Sequence, residues 1–190
     1  NVRAISFFVT FIIFALAAWF GTSSPAPARP PSAGTASAAA PIVQRVSSGT
    51  DVPVARVIDG DTIVVTEADG KTATVRLLGI DTPETVDPRK PVQCFGKAAS
   101  DYTKETLTGK TVTLVSDPSQ GDTDKYGRLL RYVDLPDGTD YDLALVAQGY
   151  AHEYTYDVPY ARQTAYKNAE AQARSAGLGL WNKAGCNGQP

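Results

Sequence analysis

Between residues 54 and 135 the chain carries its apolar weight in short β-branched bursts, not in long periodic stretches, and this limits the folds open to it. Residues 54–66, VARVIDGDTIVVT, are broken once at Asp59-Gly60-Asp61, which predicts two strand pieces joined by a bend or tight loop. Ala68-Asp69-Gly70 then turns the chain into TATVRLLGI, a further strand. KTVTLVSD alternates with Val112 and Leu114 on one face, and GRLLRYVDL follows it and ends at the Pro136-Asp137-Gly138 turn.

Helical spacing enters in three places. FGKAASDYTKETL sets Phe95, Ala98, Ala99, Tyr102 and Leu107 on a helical period. DYDLALVAQG opens on an acid and closes on Gly149, the punctuation of a short helix. A third helix is expected from Pro159 to Gly177, with alanines at 161, 165, 169 and 173 forming a narrow stripe that can lie close to a sheet. The order is strands, helix, strands, helix, helix. Without regular strand-helix alternation, five short strands favour a small closed or nearly closed barrel over a doubly wound sheet, so the expected class is mainly β with three helices.

Residues 1–50 stand outside that pattern. Residues 4–21 form an uncharged run of 18 residues, which reads as a signal peptide (Ala15-Leu16-Ala17 suits cleavage) or as a membrane anchor (Trp19-Phe20 suits the interface). The Pro/Ala/Ser-rich stretch that follows has too little apolar bulk to fold and is expected to be a disordered tether. The expected organisation is a hydrophobic helix at 1–21, a linker at 22–50, a folded domain at 51–183 and a tail at 184–190. In both readings of the leader the remainder is exported, so the protein is secreted or faces outward from a membrane. Export makes a disulfide the simplest use of Cys94 and Cys186, closing a loop worth roughly 4–5 kcal/mol in the chain-entropy model, with two buried free thiols as the alternative.

Charge is unevenly placed. Residues 1–50 contain Arg3, Arg29 and Arg45 and no acid, so 15 of the 18 basic residues face all 20 acids in the rest, a balance near −5. Such a domain repels phosphate overall, and a nucleic-acid role then needs a local cationic site or a bound cation. Asp61 at the bend and Asp81 at a strand end come together if their strands are neighbours. Oxygen donors without histidine or thiolate point to Ca²⁺ or Mg²⁺, with the Thr82 carbonyl as a third ligand ahead of Pro83. Glu84 is offset from Asp81 so as to hold or deprotonate a water. Arg76 and Arg128 offer forked donors for phosphate oxygens. Singly, each has a plain alternative as a turn, cap or surface residue, and Asp59 is read as a turn residue only. Jointly they form the equipment for phosphodiester hydrolysis.

VIDGDTI, RLLGIDTPET, FGKAASDYTK, DKYGRLL and EAQARSAGLGLW, in that order over about residues 53–182, closely resemble the thermonuclease family of staphylococcal-nuclease-like proteins. The resemblance implies an OB-fold barrel with three helices and Ca²⁺-dependent cleavage of DNA and RNA. It assigns Asp61, Asp81 and the Thr82 carbonyl to calcium and Arg76, Glu84 and Arg128 to catalysis. It places Lys125 and Tyr126 in a loop that contacts phosphate and nucleotide, and Tyr154 and Tyr156 along the nucleotide pocket. Stacking on tyrosines tolerates any base, and a single strand reaches a rim site without duplex distortion, so single strands are the favoured substrate of an expected monomer. Nearby basic residues are few: Arg89, Lys90 and Lys125. His152 has no counterpart role. Two rival readings remain, a non-catalytic single-stranded nucleic-acid-binding OB module at the cell surface and a calcium-stabilised structural domain.

Overall fold

The β-branched bursts close on themselves. In the computed structural model, which describes residues 49–89 and 91–189, the strands are β1 (Thr50–Val57), β2 (Thr62–Thr66), β3 (Thr72–Leu77), β4 (Ile80–Asp81), β5 (Thr111–Val115), β6 (Leu129–Asp134) and β7 (His152–Glu153). Five of them form a closed barrel in the order β1-β2-β3-β6-β5, and β4 and β7 make a separate two-stranded ladder. β1 serves two neighbours: residues up to Pro53 pair with β5, and Val54 onward pair with β2, with an irregularity between Val54 and Arg56. Closure comes from the parallel pairing of β3 with β6. The leader, Lys90 and the linker up to residue 48 lie outside the described residues, and Thr50, taken from the sequence as the last linker residue, opens β1.

Alternation along the strands builds the core. Val52, Val54, Ile63, Val65, Val75, Leu77, Val112 and Val133 are buried, each worth roughly 1.5–3 kcal/mol against exposure. Helices α1 (Gly96–Leu107), α2 (Tyr141–Ala147) and α3 (Gln163–Ala176) cover the barrel with Leu107, Leu145, Val146 and Tyr166. α2 begins where the Asp140 side chain accepts the Leu143 N–H at 2.9 Å, a side-chain cap for a donor the helix itself cannot satisfy.

Two helical expectations need correction. α1 starts at Gly96, since Phe95 sits in the left-handed region at φ 66°, and its buried face is Ala99, Ser100, Thr103 and Leu107, with Ala98 exposed. α3 starts at Gln163, four residues later than Pro159 suggests. The Tyr160 hydroxyl is drawn into the structure, donating to the Gly79 carbonyl at 3.1 Å, while the Ala161 N–H donates to Asp117 at 2.7 Å. Only Ala169 and Ala173 of the alanine stripe are buried, and Tyr166 supplies the rest of that face.

Beyond α3 the chain stays attached. Cys94 and Cys186 are joined in a disulfide with Cα atoms 5.7 Å apart, and the Gly188 N–H donates to the Leu180 carbonyl at 2.7 Å. His152 is half-buried, edge-on to the Trp181 ring at 4.8 Å, with burial lowering its pKa.

A polar cluster fastens α3 to the barrel and α2. Arg162 Nη1 lies 2.8 Å from both Asp134 Oδ1 and Asp140 Oδ2, its guanidinium stacks 4.2 Å from the Tyr132 ring, and Tyr166 donates to Asp140 at 2.9 Å. Arg162→Ala leaves two acids without their cation and is expected to cost about 3 kcal/mol in denaturant unfolding. Beside the cluster, Asp142 is fully buried. Its Oδ2 accepts the Val133 N–H at 3.3 Å and its Oδ1 has no hydrogen-bond partner among the described residues. Burial, then repulsion from Asp140, raises its pKa well above 3.8. The folded state therefore holds a proton that the unfolded chain releases above about pH 3.9, so this contribution to stability is complete at low pH and is lost as the pH rises toward the folded value. Asp142→Asn, which cannot ionise, should flatten that decline in melting temperature measured from pH 4 to 8, and a slope identical to the parent protein would contradict the assignment.

Candidate active site

The bend between β1 and β2 is held by its backbone before any side chain acts. The Ile58 and Asp59 N–H groups both donate to the Thr62 carbonyl, at 2.9 and 3.3 Å, and the buried Thr103 hydroxyl of α1 donates to the Gly60 carbonyl at 2.9 Å. A Cβ on Gly60 would lie 2.7 Å from the Thr82 hydroxyl oxygen, so only glycine lets this bend rest on the segment after β4. The contact delivers Asp61 to Thr82: Oδ2 accepts the Thr82 N–H at 2.8 Å and its hydroxyl at 3.1 Å, while Oδ1 accepts the Thr62 hydroxyl at 2.9 Å.

Register then brings in Arg76, opposite Thr62 in the β2–β3 pair. Its Nη1 donates to the Leu77 and Ile80 carbonyls, both at 2.8 Å, stapling the turn into β4. Its Nη2 sits 2.9 Å from Asp81 Oδ1 and 3.3 Å from Asp61 Oδ2. The two acids expected to converge do so within reach of a single guanidinium nitrogen. Arg76 stands between the two acids, paired with both. Asp81 is fixed from its other side by β7, where His152 is its partner in the ladder.

The charges do not balance locally. Burial, then repulsion from Asp61 and Glu84, pushes Asp59 up to about 7. Partial desolvation, then Asp61, pushes Asp81 up to about 6 against the pull of Arg76. Arg76 is mostly buried, which alone would lower its pKa, but Asp61 and Asp81 outweigh that desolvation and raise it. Asp59, Asp61 and Asp81 thus all act on the Arg76 cation, and Glu84 adds repulsion to Asp59 and Asp81. Asp59, read from the sequence as a turn residue, is buried and lines the same cleft; two acids flanking one glycine in DGD were its signal.

That cleft has a volume of 680 Å³ and is lined by Asp61, Arg76, Asp81, Thr82, Glu84 and Arg128, and also by Lys125, Tyr126, Tyr154 and Tyr156. All ten site residues picked from the sequence therefore share one cavity. Glu84 is half-buried, with Oε1 accepting the N–H groups of Thr85, Val86 and Asp87 at 2.8, 2.7 and 3.1 Å. Arg128 is oriented by Asp124, a partner the sequence reading did not single out: Nε donates to Asp124 Oδ2 at 2.6 Å and the backbone N–H to Oδ1 at 3.0 Å. The guanidinium of Arg128 lies 5.4 Å from the exposed Tyr126 ring and Lys125 Nζ 5.1 Å from it. Tyr154 and Tyr156 are exposed with ring centroids 6.4 Å apart, just past the end of β7, and the Tyr154 N–H donates to the Gly79 carbonyl at 2.9 Å. Asp157 adds another acid to the wall.

The donor set suits a hard divalent cation: among the described residues lining the cleft, carboxylates outnumber cations and there is no imidazole or thiolate. Among the described residues no group of three or more His, Cys, Asp or Glu side chains is arranged to hold a metal, so a cation here would rely on two carboxylates, a peptide oxygen and water.

Comparison with known proteins agrees with this architecture. The family model described as staphylococcal nuclease homologue matches residues 74–183. The chain is 42% identical over 141 residues to a protein named thermonuclease from Staphylococcus intermedius, spanning 72% of this chain and 82% of that protein. It is 43% identical over 130 residues to the thermonuclease of Staphylococcus hyicus, spanning 68% and 74%. Endonuclease YncB of Bacillus subtilis (strain 168) is 40% identical over 137 residues, which cover 71% of this chain and 63% of that protein. With its barrel, its three helices and these matches, the chain belongs to the staphylococcal nuclease homologue family.

Proposed function

We propose that this protein is an exported, monomeric, calcium-dependent nuclease that hydrolyses phosphodiester bonds of DNA and RNA, with single strands the favoured substrate. The observation that carries the reading is the meeting of Asp61 and Asp81 at one guanidinium, in a cleft that also contains Glu84, Arg128 and the exposed Tyr126, Tyr154 and Tyr156. The relatives named thermonuclease and endonuclease support the same class of chemistry. The disulfide supports an oxidising destination for the folded domain.

In this reading Asp61, Asp81 and the Thr82 carbonyl would hold calcium, which when bound would supply positive charge to a phosphate. Glu84, with Oε1 tied to its own loop, presents the other oxygen to water, aligns it and takes its proton as the new P–O bond forms. The P–O5′ bond breaks in the same displacement. Arg128 has no protein acceptor for its terminal nitrogens among the described residues, so they can donate to the phosphate oxygens and the leaving group. Arg76, steadied by two carbonyls, adds a second charge to the transition state. Lys125 draws in the backbone, and Tyr126, Tyr154 and Tyr156 offer faces for a base or sugar.

The intact acids weigh against a module that only binds nucleic acid, because without a cation they repel phosphate. On denatured DNA, calcium should support cleavage and a chelator should abolish it. Glu84→Gln should lose roughly a hundredfold or more in turnover while retaining calcium and nucleotide binding, and Arg128→Lys should fail similarly because a point charge cannot replace a fork. Turnover near the parent rate in Glu84→Gln would remove Glu84 from the mechanism, and degradation indifferent to chelator would remove the cation.

A further inference from the structure

Glu84 has to be held firmly enough to aim at a water, and its own side-chain bonds do only part of that. They tie Oε1 to the loop that follows, and the position of that loop depends on what secures the Glu84 backbone. Gln93 secures it on both sides. The Gln93 side-chain oxygen accepts the Glu84 N–H at 2.5 Å, and the Gln93 N–H donates to the Glu84 carbonyl at 2.9 Å. Residues 84 and 93 are thus clasped as the two ends of one loop.

Gln93 is itself anchored. The next residue, Cys94, is covalently joined to Cys186, and the Gly96 N–H that opens α1 donates to the Gln93 carbonyl at 3.0 Å. α1 approaches so closely that a Cβ on Gly96 would stand 2.9 Å from the Pro83 carbonyl and 3.1 Å from that of Glu84, a distance only glycine permits. The clasp therefore connects Glu84 to rigid structure: a helix start on one side and a covalent bridge on the other. Gln93 also lines the cleft, so its side chain lies in the region where the displacement would take place.

We infer that Gln93 is a positioning residue for Glu84, its side-chain amide setting where the carboxylate meets the attacking water. This rests on the reading of Glu84 given above. Position matters at this level because a misplacement of about 1 Å costs on the order of a hundredfold in rate. Gln93 acts through Glu84 and not on the substrate, so its effect belongs in kcat and not in binding.

The test uses the full chain with calcium on denatured DNA and four variants: Gln93→Ala, Gln93→Glu, Glu84→Gln, and the double variant Gln93→Ala with Glu84→Gln. Gln93→Ala should lower kcat by roughly ten- to a hundredfold with KM, nucleotide bisphosphate affinity and melting temperature little changed. Gln93→Glu, which keeps an acceptor oxygen for the Glu84 N–H, should recover most of the loss, and Gln93→Ala should cost nothing more once Glu84 is already glutamine. The inference is overturned if Gln93→Ala turns over at the parent rate, if it costs as much with Glu84→Gln as without it, or if the loss follows the melting temperature. Those outcomes leave the Glu84 assignment standing; undiminished turnover in Glu84→Gln alone overturns both.

Discussion

One carboxylate oxygen organises this structure. Asp61 Oδ2 takes the N–H and the hydroxyl of Thr82, 21 positions further along the chain, and lies against Arg76 as it does so. A buried carboxylate is tolerated only where donors surround it, and here the donors come from the segment that carries Asp81, Thr82 and Glu84. The bend at Gly60 is therefore locked to the end of β4, and every other group in the cleft is placed relative to that lock. β4 passes the constraint on: its ladder with β7 puts Asp81 beside His152 and brings Tyr154 to Gly79, so the acids and the aromatic wall are set by one short piece of sheet.

The electrostatics follow from the same crowding. Arg76 neutralises part of the charge, but Asp59 and Asp81 still lie above the ordinary carboxylate range because too many acids share too little water. A hard cation bound as proposed would relieve that strain and would draw phosphate toward a domain whose overall charge is near −5. Local geometry thus offsets what the global field opposes. Arg128 follows another rule: Asp124 holds it at Nε, leaving the two terminal nitrogens without an acceptor among the described residues.

Much of this was legible in the chain. β-branched bursts between Asp-Gly and Pro-Asp-Gly turns identify the barrel strands, because pleated, half-buried positions select those side chains locally. Asp61, Arg76, Asp81, Thr82, Glu84 and Arg128 stand out by residue type at strand ends and turns, whereas Lys125, Tyr126, Tyr154 and Tyr156 are singled out only through the family resemblance. Contacts made by side chains from far away were not legible. A two-residue ladder such as β4–β7 has no periodicity to read, and Asp59 looks like any turn acid until the fold buries it beside Asp61 and Arg76. Asp124 and Gln93 likewise acquire their roles only when a loop folds back on itself. The late start of α3 has the same origin: Pro159 and Ala161 are good opening residues, but Tyr160 finds Gly79 and the helix waits until Gln163. The expectations for residues 1–48 concern a part of the chain outside the described residues.

The central claim is that Asp61, Asp81 and Thr82 form one ligand sphere. A crystal structure of the calcium-soaked protein, with anomalous scattering to identify the ion, tests it most directly. The account predicts a single strong calcium peak bonded to a carboxylate oxygen of each aspartate and to the Thr82 carbonyl, with Arg76 withdrawn from at least one acid. Saturating calcium that leaves the Arg76 pairs intact and no peak between the two aspartates would contradict it.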